Sequence, residues 1–391
     1  MRTQVGIVGA GPAGLTLALL LARAGIESIV LEDRTREYIE HRVRAGLLEQ
    51  NTVDLMHELG VGARLAREGL QHDRIYLRRR GQTLDIAITE LTGRHVTIFA
   101  QHEVVKDMVA TLLGRGGTIE FEVSEVAIHD FDSGSPRITY AADGARQEIA
   151  CEFIAGCDGF HGICRPSVGD GYFTEHEYVY PFAWLGVLVE APPATDQLIY
   201  GWHEHGFALY SMRSATVSRL YLQVPPDEDI ARWPDERIWE ELQMRLASEG
   251  WRVNEGPIFD KGITPMRTFV CEPMSRGSLF LVGDAAHIVP PTGAKGLNLA
   301  VNDARLLATA LIEWFQGGSR ARLESYSETA LRRVWRAQDF SNYMTQLLHD
   351  LGRGPFDRKL QLSRLDYLER SRAAATSLAE NYVGLPARED F

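Results

Sequence analysis

The sequence predicts an α/β chain. A parallel sheet opened by a βαβ unit is interleaved with a second, β-rich unit, and a helical C-terminal region follows. Three observations predict it. The β-rich run Gln4-Val5-Gly6-Ile7-Val8 leads into Gly9-Ala10-Gly11-Pro12-Ala13-Gly14, a G-x-G-x-x-G turn that opens a helix. About 270 residues later a second apolar run, Leu279-Phe280-Leu281-Val282, ends at Gly283-Asp284. Between them, Tyr180 to Val224 is strand-like and rich in aromatics.

The elements follow in order. A helix is expected from Pro12 to Ala24, with Pro at its start and Gly25 ending it. Ser28-Ile29-Val30-Leu31 reads as the second parallel strand, closing at Glu32. Apolar residues at helical spacing predict one helix over Val53–Leu65. Arg74–Ile88 alternates and predicts two strands with a turn at Gly81-Gln82. Glu120–Tyr140 reads as a hairpin or meander, and Asp235–Ala247 as an amphipathic helix after the polar break Pro225–Asp229. From Leu297 to about Ser377 the chain is helical. The expected division is a discontinuous nucleotide-binding domain (1–70, 96–175 and 268–340), a β-rich substrate domain (71–95 and 176–267) and a helical C-terminal or interface region (341–391).

Composition excludes several classes. Of 391 residues, 45% are hydrophobic and 24% charged, as in an ordinary globular protein with a large core. A net charge of -12 repels phosphate backbones and anionic membranes, so neither nucleic acid nor membrane is an expected partner. An anionic ligand therefore needs a local basic cluster. The run Leu15–Ala24 is too short to span a bilayer, and no signal-peptide pattern precedes the first strand. Cys151, Cys157, Cys164 and Cys271 lack metal or redox spacing and read as reduced thiols of a cytoplasmic protein. His203-Glu204-His205 has no further ligands to make it a metal site, and no metal is expected.

The two glycine-bearing segments describe one site built from distant parts of the chain. Gly9 allows the tight turn, Gly11 the approach of a pyrophosphate, and Gly14 close packing of helix on strand. The helix start offers N–H groups and a positive dipole end to phosphate. Glu32, 18 residues after Gly14, can accept from the adenosine ribose. This much fits NAD or FAD equally. Asp284, delivered to a strand end, suits ribityl hydroxyls, and a helix beginning near Gly296-Leu297-Asn298 can face a flavin edge that gains negative charge on reduction. Together they point to FAD in a Rossmann-like domain.

With Asp158-Gly159 and Gly283-Asp284 added to the fingerprint, the chain resembles the single-component, FAD-dependent aromatic hydroxylases. The likeness runs through Arg42–Gln50, Ala155–Gly162, Gly206–Leu209, Ser211–Thr216, His287–Leu299 and Glu380–Pro386, and so through nearly the whole chain. It implies a flavin monooxygenase of aromatic catabolism that converts 4-hydroxybenzoate to 3,4-dihydroxybenzoate with O2 and NADH or NADPH, through a flavin C4a-hydroperoxide. A related hydroxylase for another hydroxybenzoate, or a flavoprotein redox sensor without turnover, are the alternatives. The resemblance implies FAD contacts from Gly9, Gly11, Ala13, Gly14, Glu32, Arg42, Val43, Arg44, Ala45, Gly46, Leu47, Gln101, Asp284, Leu297 and Asn298. It implies that Ser211, Arg213 and Tyr221 hold the substrate carboxylate, with Met212 also in the substrate site, that Tyr200 and the Pro291 carbonyl meet the phenol, and that Tyr382 extends a proton path toward His72. NAD(P)H docks transiently, with Asp33, Arg34, Tyr38, His161 and Arg267 as candidates, and relatives are homodimers.

Taken alone, Tyr200 and Tyr382 read as packed core tyrosines with satisfied hydroxyls, and Arg213 as a solvated charge. The resemblance reverses both readings. A tyrosine and a substrate phenol have similar proton affinities, so Tyr200 can stabilise a phenolate, and the planar fork of Arg213 suits a carboxylate. Two positions depart from the pattern. Asp33 stands where NADPH-specific relatives carry a base and repels a 2′-phosphate, which favours NADH or dual use although Arg34 and Arg36 offset it. Leu220 replaces a tyrosine beside the substrate strand.

Overall fold

The computed structural model describes residues 1–42 and 46–385. Among these, the strands form four sheets. The first is parallel at its centre, in the order Leu279–Leu281, Phe153–Gly156, Val5–Val8, Ser28–Leu31, Thr118–Glu120, with the two-residue strand Ser275–Arg276 antiparallel on its edge. Every residue of Val5–Val8 is buried, because both faces of the sheet are covered: Ile7 faces Gly14 of the following helix, and Gly6 faces Ile138 of the strand Arg137–Ala142. The helix Pro12–Arg23 packs on it with Leu15, Leu17, Leu19 and Leu21 at most 0% exposed, and Gly25 closes it at φ +73.

The second sheet has eight strands, in the order His287–Ile288, Ile258–Glu272, Thr174–Glu190, Val217–Val224, Ala208–Met212, Leu198–Trp202, Ile75–Arg79, Gln82–Ile86. Alternation gives it two buried faces. Ala183, Leu185, Ile199, Tyr210, Leu220 and Leu222 meet the helix Asp235–Arg245. Phe182, Trp184, Tyr200, Phe207 and Leu209 meet Phe340, Met344 and Tyr382 of the C-terminal helices. Leu220 is thus on the face away from Tyr221, where an apolar side chain completes a core and leaves the other face untouched.

Several expectations are refined. Val53–Leu65 is two helices, Gln50–Glu58 and Ala63–Glu68, because Gly60 turns the chain at φ +78 and a side chain at Gly62 would strike His57. The hairpin turn uses Arg80 and Gly81, both at positive φ, rather than Gly81-Gln82. The Glu120–Tyr140 region belongs to a three-stranded meander, Ser124–His129, Arg137–Ala142 and Ala145–Ala150. An unforeseen small sheet joins Leu47–Glu49, Val96–Ile98 and Leu70–His72, so His72 lies outside the eight-stranded sheet. The expected break at 340/341 falls inside the helix Tyr326–Leu348, whose buried positions Phe340, Met344, Leu347 and Leu348 continue its apolar face. No helix among the described residues is long and apolar enough to cross a membrane.

Candidate active site

The glycine turn has the form a dinucleotide requires. A Cβ on Gly9 would lie 2.4 Å from the Cys157 carbonyl oxygen, and one on Gly14 2.0 Å from that of Gly9, so both are fixed by packing. A Cβ on Gly11 would meet nothing within 4 Å. The open side of Gly11, at the start of a helix with no side-chain cap, is where a phosphate can approach. Ala13 is buried beneath it. Glu32 closes the next strand and is tied to the turn, accepting the Ala10 N–H at 2.8 Å and the Arg34 N–H at 3.1 Å.

Burial, helped by Asp33, pushes the Glu32 carboxyl up to about 7, against the pull of its two backbone donors. The folded apoprotein holds that proton more tightly than the unfolded chain. The resulting stability is complete below pH 4.5 and is lost as pH rises toward 7. The apoprotein Tm should therefore fall across that window, and Glu32→Gln should flatten the fall. An equal slope in both proteins, measured by calorimetry, would remove this assignment.

The second half of the candidate cofactor cleft comes from residues 279–298. The strand Leu279–Leu281 delivers the 3-10 turn Gly283–Ala285, with Gly283 at φ +63 and Asp284 exposed. The helix Gly296–Gly317 starts without a side-chain cap or an acidic first turn, and Leu297 is half-buried at that start. The Asn298 side chain is turned into the protein. Its amide is consumed by protein: Oδ1 accepts from the Glu49 N–H and the Thr52 hydroxyl, and Nδ2 donates to the Leu47 and Ala294 carbonyls. What it can offer a flavin is its main chain. Gly46 lies against Phe99, where a Cβ would come within 2.1 Å of the carbonyl oxygen. Gln101 begins the helix Gln101–Gly114, and Arg42 ends Arg36–His41. Val43, Arg44 and Ala45 lie outside the described residues.

The sheet face toward the C-terminal helices carries the substrate candidates. Register places Leu77, Tyr200, Leu209, Tyr221 and Gly186 in one row across five strands, and Ser211 opposite Arg219 in the next. Those rows are about 7 Å apart along the strands. Arg213 follows at the turn, its N–H bonded to the Val217 carbonyl. Burial, with the nearby Arg219 charge, pushes Arg213 down to about 10. Arg219 sits over the Tyr221 ring at 5.0 Å, and its buried Nη1 has no hydrogen-bond partner. A carboxylate at this end would offset both the mutual repulsion and the burial.

At the other end Tyr200 and Tyr382, 2% and 0% exposed, are joined by a hydroxyl hydrogen bond of 2.8 Å. Burial pushes Tyr200 up to about 12, against the pull of Tyr382, and raises Tyr382 further. Both hydroxyls therefore stay protonated and available as donors. Pro291 opens the 3-10 turn Pro291–Gly293, where its carbonyl already accepts the Ala294 N–H at 2.9 Å, leaving one lone pair for a ligand. Among the described residues, no hydrogen bond joins Tyr382, bonded to Tyr200, directly to His72. His72 Nε2 lies 3.4 Å from the Met212 sulfur, its Nδ1 has no partner, and burial lowers it to about 4. Met212 alternates away from the face that carries Ser211, so its side chain packs on His72 instead of joining the substrate row.

Three contributors were not anticipated. Lys295 and Glu49, each 5% exposed, form a buried 2.7 Å ion pair, and Lys295 also donates to the Tyr382 carbonyl at 2.9 Å. Arg219 joins Arg213. His349, stacked on Phe182 and Phe207, accepts from the Trp184 indole at 2.8 Å and so fixes a ring that packs 4.8 Å from Tyr221. Partners distant in sequence leave no local signal for these.

On the exposed side, His161 packs on Phe160, and Arg267 lies over the same ring at 5.2 Å. Arg34 and Arg42 both lie over Tyr38, at 5.5 and 5.8 Å, and Asp33 is 3.5 Å from Arg34. Among the described residues no group of three His, Cys, Asp or Glu side chains is placed to hold a metal.

A family profile described as FAD binding domain matches residues 2–341. The chain is 48% identical over 389 residues to p-hydroxybenzoate hydroxylase of Acinetobacter baylyi, covering 99% of this chain and 96% of that protein. It is 28% identical over 327 residues to 3-amino-4-hydroxybenzoate 2-monooxygenase of Streptomyces platensis, covering 79% and 80%. Among solved structures, p-nitrophenol 4-monooxygenase of Pseudomonas putida superimposes with a TM-score of 0.85 at 19% identity over 99% of this chain and 100% of that one, a likeness of fold.

Proposed function

The chain belongs to the FAD binding domain family and to the aromatic hydroxylases within it, and from that premise we propose that it hydroxylates 4-hydroxybenzoate to 3,4-dihydroxybenzoate with NAD(P)H and O2. The observation that carries the reading is the polarity of one sheet face. Ser211 and Arg219 lie one row along the strands from the buried Tyr200, which is bonded to Tyr382; Arg213 follows at the turn beyond them, and Tyr221 shares the Tyr200 row two strands away. A small ring with a carboxylate at one end and a phenol at the other fits that arrangement.

FAD, when bound, would supply the redox chemistry between NAD(P)H and O2. Gly11 and the helix start would hold its pyrophosphate, Glu32 its ribose, and Asp284 and the start of Gly296–Gly317 its flavin half. The chain does the rest. Arg213 and Ser211 fix the carboxylate and so the ring. Tyr382 donates to Tyr200, which frees the Tyr200 hydroxyl to donate to the substrate oxygen. That charge-assisted bond stabilises the phenolate, whose electron-rich ring accepts oxygen. Lys295, held by Glu49, anchors the main chain of Tyr382. The apolar wall of Trp184, Phe207 and Leu209 excludes water.

His161 and Arg267 form the docking patch for NAD(P)H. Because Asp33 partly neutralises Arg34, we infer that NADH is used at least as well as NADPH. The deciding experiment is oxidation of each nucleotide with 4-hydroxybenzoate and with its 2- and 3-hydroxy isomers, with product identification. Turnover coupled only to another isomer would move the assignment to a related hydroxylase. Substrate-independent oxidation without hydroxylated product would leave a redox sensor.

The protein is assigned to the cytoplasm, whose reducing conditions suit four buried free cysteines. It is also assigned as a homodimer. The helix Gly354–Arg370 exposes Phe356 (76%), Leu360 (38%) and Tyr367 (63%) along one stripe, an apolar face suited to a second copy. Phe356→Asp is expected to convert the dimer to monomer in native mass measurements; a monomeric parent protein, or an undisturbed dimer, rejects this interface.

A further inference from the structure

One buried carboxylate links three pieces of the cofactor cleft. Asp303, 0% exposed, lies two turns into the helix Gly296–Gly317. Its Oδ2 accepts the Gly283 N–H at 3.0 Å and lies 2.6 Å from Nε2 of His287, itself 1% exposed. Gly283 is the residue before Asp284, and it is held from a second side as well: at φ +63, a Cβ there would be 2.9 Å from the Ala300 Cβ. His287 sits in the strand His287–Ile288, paired with Val270, and leads into Pro290-Pro291. The turn, the strand and the helix thus share one acceptor, and none of its contacts is with solvent.

Burial opposes a charged imidazole, yet the adjacent Asp303 carboxylate outweighs burial and raises the His287 pKa. The two side chains are joined by a buried hydrogen bond, and the carboxylate favours the charged form of the imidazole. In a dry site such a bond is stiff, and removing one partner leaves an uncompensated charge. The mechanism above does not use either residue.

We propose that the His287–Asp303 pair is a positioning device that fixes the Gly283 turn and thereby aims Asp284 at the ribityl half of the cofactor. The proposal rests on the FAD reading. It places the effect on one half of the ligand. The pyrophosphate and adenosine are held by Gly11 and Glu32, on other elements, so an ADP fragment should not sense the pair.

The test is titration of apoprotein with FAD and, separately, with ADP, for the wild type, Asp303→Asn, His287→Gln, Asp284→Ala and the Asp284→Ala/Asp303→Asn double variant. Asparagine keeps an acceptor for the Gly283 N–H and loses the charge that holds His287, and His287→Gln covers the case in which the aspartate variant does not fold. The expected result is an FAD Kd raised at least tenfold in each single variant, with the ADP Kd changed less than twofold. The double variant should be weaker than Asp284→Ala by much less than tenfold, because the pair acts through Asp284. Parallel loss of FAD and ADP binding would mean general damage and overturn the proposal. So would an unchanged FAD Kd or a fully additive double variant. A wild-type protein that binds no FAD would instead defeat the reading beneath it.

Discussion

Arg213→Ala is expected to weaken 4-hydroxybenzoate binding by roughly a hundredfold, about 3 kcal/mol, with FAD still bound. The guanidinium is held under pressure: burial and the Arg219 charge together lower it to about 10, and a benzoate carboxylate relieves both. Removing it leaves the carboxylate in a dry pocket facing Arg219, which sits over Tyr221 and cannot reproduce the same fork. Arg213→Lys should recover only part of the loss, since an ammonium is a point charge without paired parallel donors. The measurement is the flavin absorbance change on titrating the holoenzyme with substrate. A variant that binds as tightly as the parent would show that the carboxylate lies elsewhere.

Tyr200→Phe is expected to cut hydroxylated product per NAD(P)H at least tenfold, the missing yield appearing as hydrogen peroxide. The ring and its packing against Phe207 remain, so substrate affinity should move by only a few-fold. What disappears is the donor at the substrate oxygen. The Tyr382 hydroxyl also loses its 2.8 Å partner in a fully buried site, a cost of about 1–3 kcal/mol to the folded state. Without that donor the phenolate is no longer favoured in a low-dielectric pocket and the ring is a poorer nucleophile. Tyr382→Phe keeps the donor and should have a smaller effect. The bound-substrate ultraviolet spectrum reports the phenolate directly. Full coupling in Tyr200→Phe, or an undiminished phenolate band, would discard this role.

The legible parts of the site are those with a local cause. Gly9, Gly11 and Gly14 are spaced by the geometry of one turn and one helix start, and Glu32 by the length of one βαβ unit, so they can be read along the chain. The same holds for Asp284 and the helix at Gly296. The break in Val53–Leu65 was legible too, in Gly60 and Gly62, but helical periodicity on either side masked it. Ser211, Arg213 and Tyr200 carry no such mark; only resemblance separated them from an ordinary strand and an ordinary charge.

By itself, then, the sequence determined the parallel sheet, the dinucleotide turn and the flavin-facing strand end, because backbone sterics and hydrogen bonding over a few residues dictate them. Tertiary structure alone decided that Lys295 would meet Glu49, that Arg219 would join Arg213, that Asp303 would hold both Gly283 and His287, and that Met212 would turn from the substrate row toward His72. Each of these depends on which face a strand buries and which distant element covers it. A buried charge or donor takes whatever partner the packed fold brings within about 3 Å, and nothing in its neighbours along the chain specifies that partner.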